Sequence, residues 1–475
     1  MRNRILKTTV ATIALGVALP ATGLHFAALF GLLPSRDLSR ATSYLRDVLG
    51  IVNENYVDAS AAGYDQLVHG AMHGMVESLD PHSEFLESKD NAELEEDLSG
   101  EFGGVGVQVE VRSGKIVVIQ PMPGTPADRA GIRHGDEIAS IDGHAVAGSV
   151  GMDEVMDKLR GKPHTKVALG MVRPKESRKF SILLEREIIK VDSVTNARVL
   201  ADDVGYVLIT EFSEHTGEQF AAAVDALLKK NINSLVIDLR NNPGGLLDAA
   251  VEVAEPFFRK GELIVSTKGR KSSDNEEFRS ESDGEPLDLP VAILINQDTA
   301  SAAEIVTGAL KDTHKAVVVG ERSFGKGSVQ SIIKLKNGEG MRLTTAKYYT
   351  PSGVSLHQKG VSPNVEVILT AEDDDKIREQ GLRNDLADPK EFKERFGFTP
   401  IPDRQLATAV DLMKGIEVID GQTEDQKRLK NTPPKVSLMG LPGSSSGSLQ
   451  GFRANPRLLP LDLLKICGLP PHDRG

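Results

Sequence analysis

The chain of 475 residues is poor in groups that several chemistries need. Its single cysteine, Cys467, excludes an internal disulfide and lies far in sequence from every motif described below. We therefore expect neither a thiolate nucleophile nor a thiolate metal site. Basic residues are outnumbered by acidic ones, and the net charge of −12 argues against nucleic-acid binding. With 40% hydrophobic residues, the chain can build cores for two or three domains.

The N-terminus combines a basic start with a long uncharged stretch. Residues 1–7 read MRNRILK, and residues 8–33 contain no Asp, Glu, Lys or Arg. A charged start followed by an apolar segment is typical of a signal peptide, and this stretch is also long enough to span a bilayer once. We predict that residues 1–34 are either a cleaved signal peptide or a membrane anchor. Both outcomes place the rest of the chain outside the cytoplasm, and we expect contact with a membrane only through this segment.

Two segments carry the strongest indication of chemistry. An apolar run that predicts a buried strand leads into NQDTASAAE at 296–304, and a helix is predicted from Ala302 onward. Ser301 therefore lies at a strand-to-helix turn, where its hydroxyl can project. The second segment, FGKGSVQ at 324–330, places Lys326 between two glycines. A serine becomes a nucleophile when a base takes its proton, and a desolvated lysine can be that base. The pair indicates a serine protease without histidine.

Two other interpretations compete with this one. Ser301 and Glu304 also fit a capping box, in which both side chains satisfy the first N–H groups of a helix. Residues 320–327 nearly match a phosphate-binding loop, although glycine follows the lysine where Ser or Thr is required. That loop must open a helix, whereas residues 328–335 have the pattern of a strand. The context therefore argues against a nucleotide site.

Taken together, the two segments resemble the carboxyl-terminal processing, or tail-specific, serine proteases. That family has its nucleophile in a Thr-Ala-Ser-Ala/Ser-(Ser/Ala)-Glu motif and its base in Gly-Lys-Gly-x-Val-Gln, and the interval between the motifs here is the usual one. The resemblance implies Ser301 as nucleophile, Lys326 as general base and Gln330 as the residue that orients the lysine. Since Lys326 and Gln330 are an even number of residues apart, we expect them to face the same side of one strand.

A third segment fits acyl transfer. Residues 234–240 predict a buried strand, NNPGG at 241–245 a turn, and residues 246–254 a helix. A glycine-rich turn before a helix offers unobstructed N–H groups to a developing oxyanion. The family resemblance assigns the oxyanion hole to Gly244 and Ala302, with Gly245 as the alternative to Gly244.

Residues 99–187 resemble a PDZ domain. A glycine loop and an alternating strand at 102–111 are followed by a second strand, two further glycine-containing motifs and a possible groove helix at 152–159. PDZ domains add an extended peptide to a sheet edge and bind its terminal carboxylate with backbone N–H groups. The resemblance implies that Val105, Gly106 and Val107 supply those donors.

The resemblance further implies a multidomain α/β fold class. We expect an N-terminal helical region at 35–98, the mostly β PDZ domain with two helices, and an α/β protease core of the ClpP/crotonase-like type at 188–370. A helical extension at 371–420 and a flexible tail at 421–475 would follow. His69 and His73 have the spacing of a metal pair, but no third ligand is evident, so we interpret them as surface or packing residues. We expect no metal and no cofactor.

The expected function is that of a serine endopeptidase, located in the periplasm of a bacterium, that cleaves extracytoplasmic proteins near their C-termini. Its partners would be proteins or peptides with accessible, apolar C-termini, which the PDZ domain would recognise, and an envelope adaptor protein could assist. The alternative function is that of a catalytically silent PDZ adaptor of the cell envelope.

Overall fold

The computed structural model describes residues 35–146, 151–382 and 388–431. The predicted signal peptide or anchor and most of the predicted tail lie outside these ranges. Within them, no helix is both long enough and apolar enough to cross a membrane. The helices are Arg36–Asn55, Tyr64–Glu77, Ser88–Ser99, Pro126–Arg129, Met152–Leu159, Thr216–Leu228, Leu247–Ala254, Ala302–Asp312, Ala371–Leu382, Pro389–Phe396 and Arg404–Asn431.

A six-stranded sheet forms the α/β core. Its order is β10-β11-β12-β15-β16-β19, with β10 antiparallel to β11 and all other neighbours parallel. The central strands β12 and β15 are buried at every position, as expected for parallel strands covered on both faces. The strands are β10 (Val194–Val199), β11 (Val204–Ile209), β12 (Ser234–Asp238), β15 (Val291–Ile295), β16 (Val317–Gly320) and β19 (Val365–Glu366).

Helices cover both faces of this sheet. One face packs against the helices Thr216–Leu228, Leu247–Ala254 and Ala302–Asp312, whose apolar residues share one buried cluster with the strands. The opposite face packs against Ala409 and Met413 of the helix that begins at Arg404. In such a sheet, the segments that follow parallel strands meet at one edge. The turns after β12 and β15, which carry the glycine pair and Ser301, therefore meet.

The region that resembles a PDZ domain forms a second sheet of order β3-β4-β5-β7-β8, with β6 paired to β5. The helix Met152–Leu159 lies where the sequence predicts the groove helix, and it contributes Val155 and Leu159 to the core of this sheet. β3 is an edge strand, so one side of its backbone is open to an added strand. The strands are β3 (Val107–Arg112), β4 (Lys115–Pro121), β5 (Glu137–Ile141), β6 (His144–Ala145), β7 (Lys166–Arg173) and β8 (Arg178–Glu185).

Two features differ from the sequence-based expectations in this part of the chain. The start of the glycine segment is not a loop, because β2 (Glu101–Gly104) pairs with β9 (Glu187–Lys190). The N-terminal region at 35–98 is not wholly helical either, because β1 (Glu84–Leu86) pairs with β18 (Gly340–Tyr349). Both strands are short and pair with residues far along the chain, so local periodicity could not reveal them.

β18 also belongs to a third sheet, in which it pairs with β13 (Leu263–Gly269) and with β17 (Ser328–Lys334). β13 in turn pairs with β14 (Glu276–Arg279). β17 begins just after Lys326, so this sheet holds the chain that continues from the lysine. The lysine itself is hydrogen-bonded through its backbone N–H to Glu304 of the helix that follows Ser301.

The two histidines His69 and His73 lie in the helix Tyr64–Glu77, and the C-terminal extension ends in a long helix. His69 Nε2 lies 2.8 Å from Glu339 Oε1, and both His69 and His73 contact the ring of Phe85 edge-on. They therefore act as packing residues in this fold. The last helix spans Arg404–Asn431 and therefore continues beyond residue 420, where the helical extension was expected to end.

Candidate active site

Ser301 precedes the helix Ala302–Asp312 and has φ 54° and ψ −117°, a backbone conformation that is rare for a residue with a side chain. Neighbouring hydrogen bonds hold it there. Ala300 N–H donates to the carbonyl of Asn242 at 2.9 Å, and the Thr299 hydroxyl donates to the carbonyl of Leu239 at 2.8 Å. The turn that carries the serine is thus bonded to the turn that follows β12.

Glu304 joins the serine segment to the lysine segment. Its fully buried carboxylate accepts hydrogen bonds from Ser301 N–H at 3.0 Å and from Lys326 N–H at 2.8 Å through Oε2. Through Oε1 it accepts from Gly325 N–H at 2.8 Å and from the Ser323 hydroxyl at 2.5 Å. Burial raises the pKa of Glu304 above its usual value, although these four donors oppose the rise. The Glu304 half of the expected capping box is therefore present, and its carboxylate also fixes the lysine loop.

The Lys326 side chain lies in a partly buried position. Burial lowers the pKa of Lys326 below its usual value, and the positive charge of Arg342 lowers it further, whereas Glu304 and Glu84 oppose the shift. Among the described residues, none forms a hydrogen bond or an ion pair with Lys326 Nζ. A lysine in this environment loses its proton more easily than one on the surface.

Gln330 lies near Lys326, but the strand argument that placed it there is wrong. β17 begins only at Ser328, so Lys326 belongs to the preceding loop, and the β17–β18 register shifts between Val329 and Gln330. Gln330 Nε2 donates to Ser328 Oγ at 2.9 Å and to Thr344 Oγ1 at 3.2 Å. The glutamine amide is therefore held by the sheet rather than by the lysine in this structure.

The turn before β1 helps to hold Thr344, the residue that contacts Gln330. The sequence did not indicate this role of the turn. The Thr344 hydroxyl that contacts Gln330 also donates to Asp80 Oδ1 at 3.2 Å, and Thr344 N–H donates to Ser83 Oγ at 3.0 Å. Although burial alone would raise the pKa of Asp80, hydrogen bonds from His82, Ser83 and Thr344 hold it below its usual value. Hydrogen bonds between side chains thus connect Asp80 in the N-terminal region to Gln330 through Thr344.

The glycine turn packs directly against the serine. A Cβ atom on Gly244, which has φ 101°, would lie 2.6 Å from Ser301 Cβ, so only glycine fits there. Gly244 N–H donates to Asn242 Oδ1 at 2.8 Å, whereas the N–H groups of Gly245 and Ala302 have no acceptor among the described residues. Two free donors therefore lie in the segments that flank the serine.

A buried ion network anchors the start of the same turn. Arg240 donates to Asp238 at 2.6 Å and to Asp403 at 2.8 Å, and Arg240 Nη1 donates to Gln405 Oε1 at 3.1 Å. Despite the burial, the two carboxylates keep the pKa of Arg240 well above its usual value. The sequence did not mark these residues as part of the site, because Asp403 lies far along the chain from Arg240.

One cavity of about 330 Å³ collects most of the expected site residues. Ser301, Ala302, Lys326, Gln330, Gly244 and Gly245 all line it. The lining of the cavity also includes Leu94, Asp97, Leu98, Glu211, Phe212, Leu246, Leu247 and Arg342.

The expected peptide-binding loop lies in the PDZ-like sheet rather than in this cavity. Val105 is buried, and its carbonyl accepts from Ala127 N–H at 2.9 Å. Gly106 has φ 72°, and a Cβ atom there would lie 2.3 Å from Thr125 Cβ. Val107 opens the edge strand β3. The structure therefore places these three residues together next to an open strand edge.

Comparison with known proteins gives a consistent result. Residues 203–367 match the model of peptidase family S41, and residues 103–184 match that of a PDZ domain. The chain is 37% identical over 365 residues to a carboxy-terminal-processing protease of Bartonella bacilliformis, covering 74% of this chain and 83% of that protein. It is 38% identical over 326 residues to a probable CtpA-like serine protease of Staphylococcus aureus, covering 68% of this chain and 64% of that protein. The chain thus spans less than two thirds of the second relative.

Among solved structures, a photosystem II D1 C-terminal processing protease is 30% identical, with a TM-score of 0.40. That match covers 68% of this chain and 92% of that chain. The family matches and the curated relatives define a serine-type peptidase with a PDZ domain. The chain belongs to peptidase family S41, and its resemblance to the C-terminal processing proteases is confirmed.

The hydrogen bonds of Glu304 generate a prediction. In Glu304→Gln an amide NH₂ group would face backbone N–H donors, which should displace the Ser301 turn or the Lys326 loop. Because small displacements of reacting groups cost about 100-fold in rate, we expect peptide hydrolysis to fall by at least about that factor. The measurement is kcat/KM on an unstructured peptide, with calorimetry to show that the variant is folded.

Glu321→Gln is a matched control, because Glu321 is a nearby carboxylate that accepts a single backbone N–H, that of Leu369 at 3.0 Å. It should keep most of the activity. A folded Glu304→Gln protein with the rate of the control would show that the carboxylate does not position the site.

Proposed function

We propose that this protein is a serine endopeptidase in which Ser301 is the nucleophile and Lys326 the general base. The observation that carries the proposal is the single cavity lined by both residues, in which the Lys326 side chain is partly desolvated and its Nζ has no hydrogen-bond or ion-pair partner among the described residues. Burial favours the neutral amine, which is the form that can accept a proton. Glu304 supports the proposal because it fixes the backbone of both segments.

These positions support acyl transfer through Ser301 with Lys326 as the proton carrier. Neutral Lys326 takes the proton of the Ser301 hydroxyl while Oγ attacks the scissile carbonyl carbon, and the carbonyl oxygen becomes an oxyanion. The lysine ammonium then gives its proton to the leaving amine as the peptide bond breaks, which leaves an acyl-serine. Lys326 next deprotonates a water that attacks the acyl carbon, and the lysine ammonium returns this proton to Ser301 Oγ as the ester bond breaks. The acid product then leaves, with the serine hydroxyl and the neutral lysine restored.

The oxyanion needs donors that are free before it forms. Ala302 N–H meets this condition, as does Gly245 N–H, whereas Gly244 N–H already donates to Asn242. We propose Ala302 with one of the two glycines, and the free N–H group favours Gly245 over Gly244. In this proposal Gly244 allows the close approach of the turn to Ser301, and Gln330 orients the lysine once substrate has entered.

Two further features of the protein support substrate recognition and location. The open edge of β3 and the loop of Val105, Gly106 and Val107 support recognition of a substrate C-terminus by the PDZ domain. The basic start and the uncharged stretch at 8–33 support an extracytoplasmic location. Fractionation of cells that produce the full chain or a chain without residues 1–34 tests the location. An envelope adaptor stays a prediction.

Substitution of the two reactive residues tests the catalytic proposal. Ser301→Ala should abolish hydrolysis of an unfolded protein substrate, yet leave the fold intact, because Glu304, the Thr299 hydroxyl and backbone groups form the hydrogen bonds that hold this turn. Lys326→Arg should also be inactive, since arginine keeps its proton at any working pH. Hydrolysis is measured by mass spectrometry of the products. Turnover near the wild-type rate by either folded variant would exclude the corresponding role.

The charges around Lys326 predict opposite pH shifts. Activity should rise with pH as the lysine loses its proton. In Arg342→Met the loss of a positive charge should raise the pKa of Lys326 and move this rise to higher pH, whereas in Glu84→Gln the loss of a negative charge should move it to lower pH. The measurement is the pH profile of kcat/KM, with Arg342→Lys as the charge-preserving control. Shifts in the same direction would show that another group titrates.

Recognition by the PDZ domain predicts a role for the substrate carboxylate. Amidation of the C-terminus removes the charge that the backbone donors would bind. Because hydrogen bonds to a charged group are stronger than those to a neutral one, kcat/KM for the amidated peptide should fall about tenfold. An internal Asp→Asn change in the same peptide is the matched control, because it removes one negative charge and keeps the free C-terminus. Equal rates for the amidated and free peptides would remove the carboxylate-sensing role and leave the catalytic proposal intact.

A further inference from the structure

Two carboxylates that the proposed mechanism does not use line the same cavity as Ser301. Asp97 belongs to the helix Ser88–Ser99, and Glu211 follows β11, next to the buried Phe212. Within the described part of the chain, neither carboxylate has a hydrogen-bond or ion-pair partner. By contrast, Arg342, which also lines the cavity, is paired with Glu84 at 2.9 Å.

The part of the cavity that Asp97 and Glu211 line favours a positive charge. Burial raises the pKa of Glu211 above its usual value, and the negative charge of Asp97 raises it further. No cation contributes to that shift. Glu211 is half-buried, whereas Asp97 is exposed. A half-buried carboxylate near a second negative charge is unfavourable, and a cation that entered between them would relieve both the burial of Glu211 and the repulsion.

The surroundings of these carboxylates are apolar. Leu94, Asp97 and Leu98 have helical spacing of three and four residues, so they lie on one face of their helix, and all three line the cavity. Phe212 and Leu246 add apolar surface. Lysine and arginine side chains combine a long apolar stem with a charged end, which is the combination that this lining matches.

We propose that Asp97 and Glu211 form a subsite that selects a lysine or arginine side chain of the substrate close to the scissile bond. The apolar stem would lie along Leu94 and Leu98, and the cation would lie between the carboxylates. This inference rests on the proposed function, because it assigns a specificity to the same cavity. An acidic side chain at that substrate position would be repelled.

The test uses a series of otherwise identical, unstructured peptides with a free C-terminus. Each position around the cleavage site carries in turn lysine, its neutral analogue norleucine, or glutamate, and mass spectrometry locates the cleaved bond. At one position we expect kcat/KM to be about five- to tenfold higher for lysine than for norleucine, the scale of one partly exposed ion pair. The glutamate peptide should be cleaved most slowly.

Variants then assign the preference to the two carboxylates. In the double variant Glu211→Gln, Asp97→Asn, the ratio of kcat/KM between the lysine and norleucine peptides should fall to about one. The matched control is Glu214→Gln, Asp90→Asn, which removes the same charge from the same two chain segments at exposed positions that do not line the cavity. This control should keep the wild-type ratio.

Three outcomes would overturn the inference. They are a wild-type ratio of about one at every position, a ratio that persists in the cavity double variant, and an equal loss in the control. Failure of the proposed function gives a different result, because no peptide would then be cleaved faster by the wild type than by Ser301→Ala. Ser301-dependent cleavage of the norleucine peptides without a lysine preference rejects the subsite alone.

Discussion

The Glu304 carboxylate accepts hydrogen bonds from backbone N–H groups of both segments that carry the proposed reactive residues, Ser301 and Lys326. It lies in the first turn of the helix after Ser301, where the helix dipole favours a negative charge. A buried carboxylate is costly unless its oxygens are satisfied, and here four donors satisfy them. The serine turn and the lysine loop therefore cannot move apart without exposing several buried polar groups.

The strained backbone of Ser301 depends on the same constraint. A residue with φ 54° and ψ −117° costs about 1–3 kcal/mol and persists only where the surroundings hold it. The bonds from Ala300 to Asn242 and from Thr299 to Leu239 supply that support, and both reach the turn that follows β12. The glycine turn is thus as much a part of the serine's environment as the serine helix.

Sequence reasoning succeeded where the signal was local. Apolar runs located β12 and β15, and helical spacing located the helices Met152–Leu159 and Ala302–Asp312. The segments around Ser301 and Lys326 were recognisable as family motifs because each motif is contiguous in the sequence. The sequence failed where partners are distant, as in the pairing of β1 with β18, or where a strand starts late, as at Lys326. The Gly244 N–H group already donates to the side chain of Asn242. This bond depends on the rotamer of Asn242, which no pattern of residue types encodes.

The ion network of Arg240 affects when the glycine turn can reach its final structure during synthesis of the chain. Arg240 is buried and depends on Asp403 and Gln405, which leave the ribosome more than 160 residues later. Until they arrive, a buried guanidinium next to the glycine turn lacks two of its acceptors, which disfavours its final placement. Domains fold as they are synthesised, so the core sheet can assemble first. In a nascent or prematurely terminated chain, Ser301 would then lie beside a turn that has not reached its final placement.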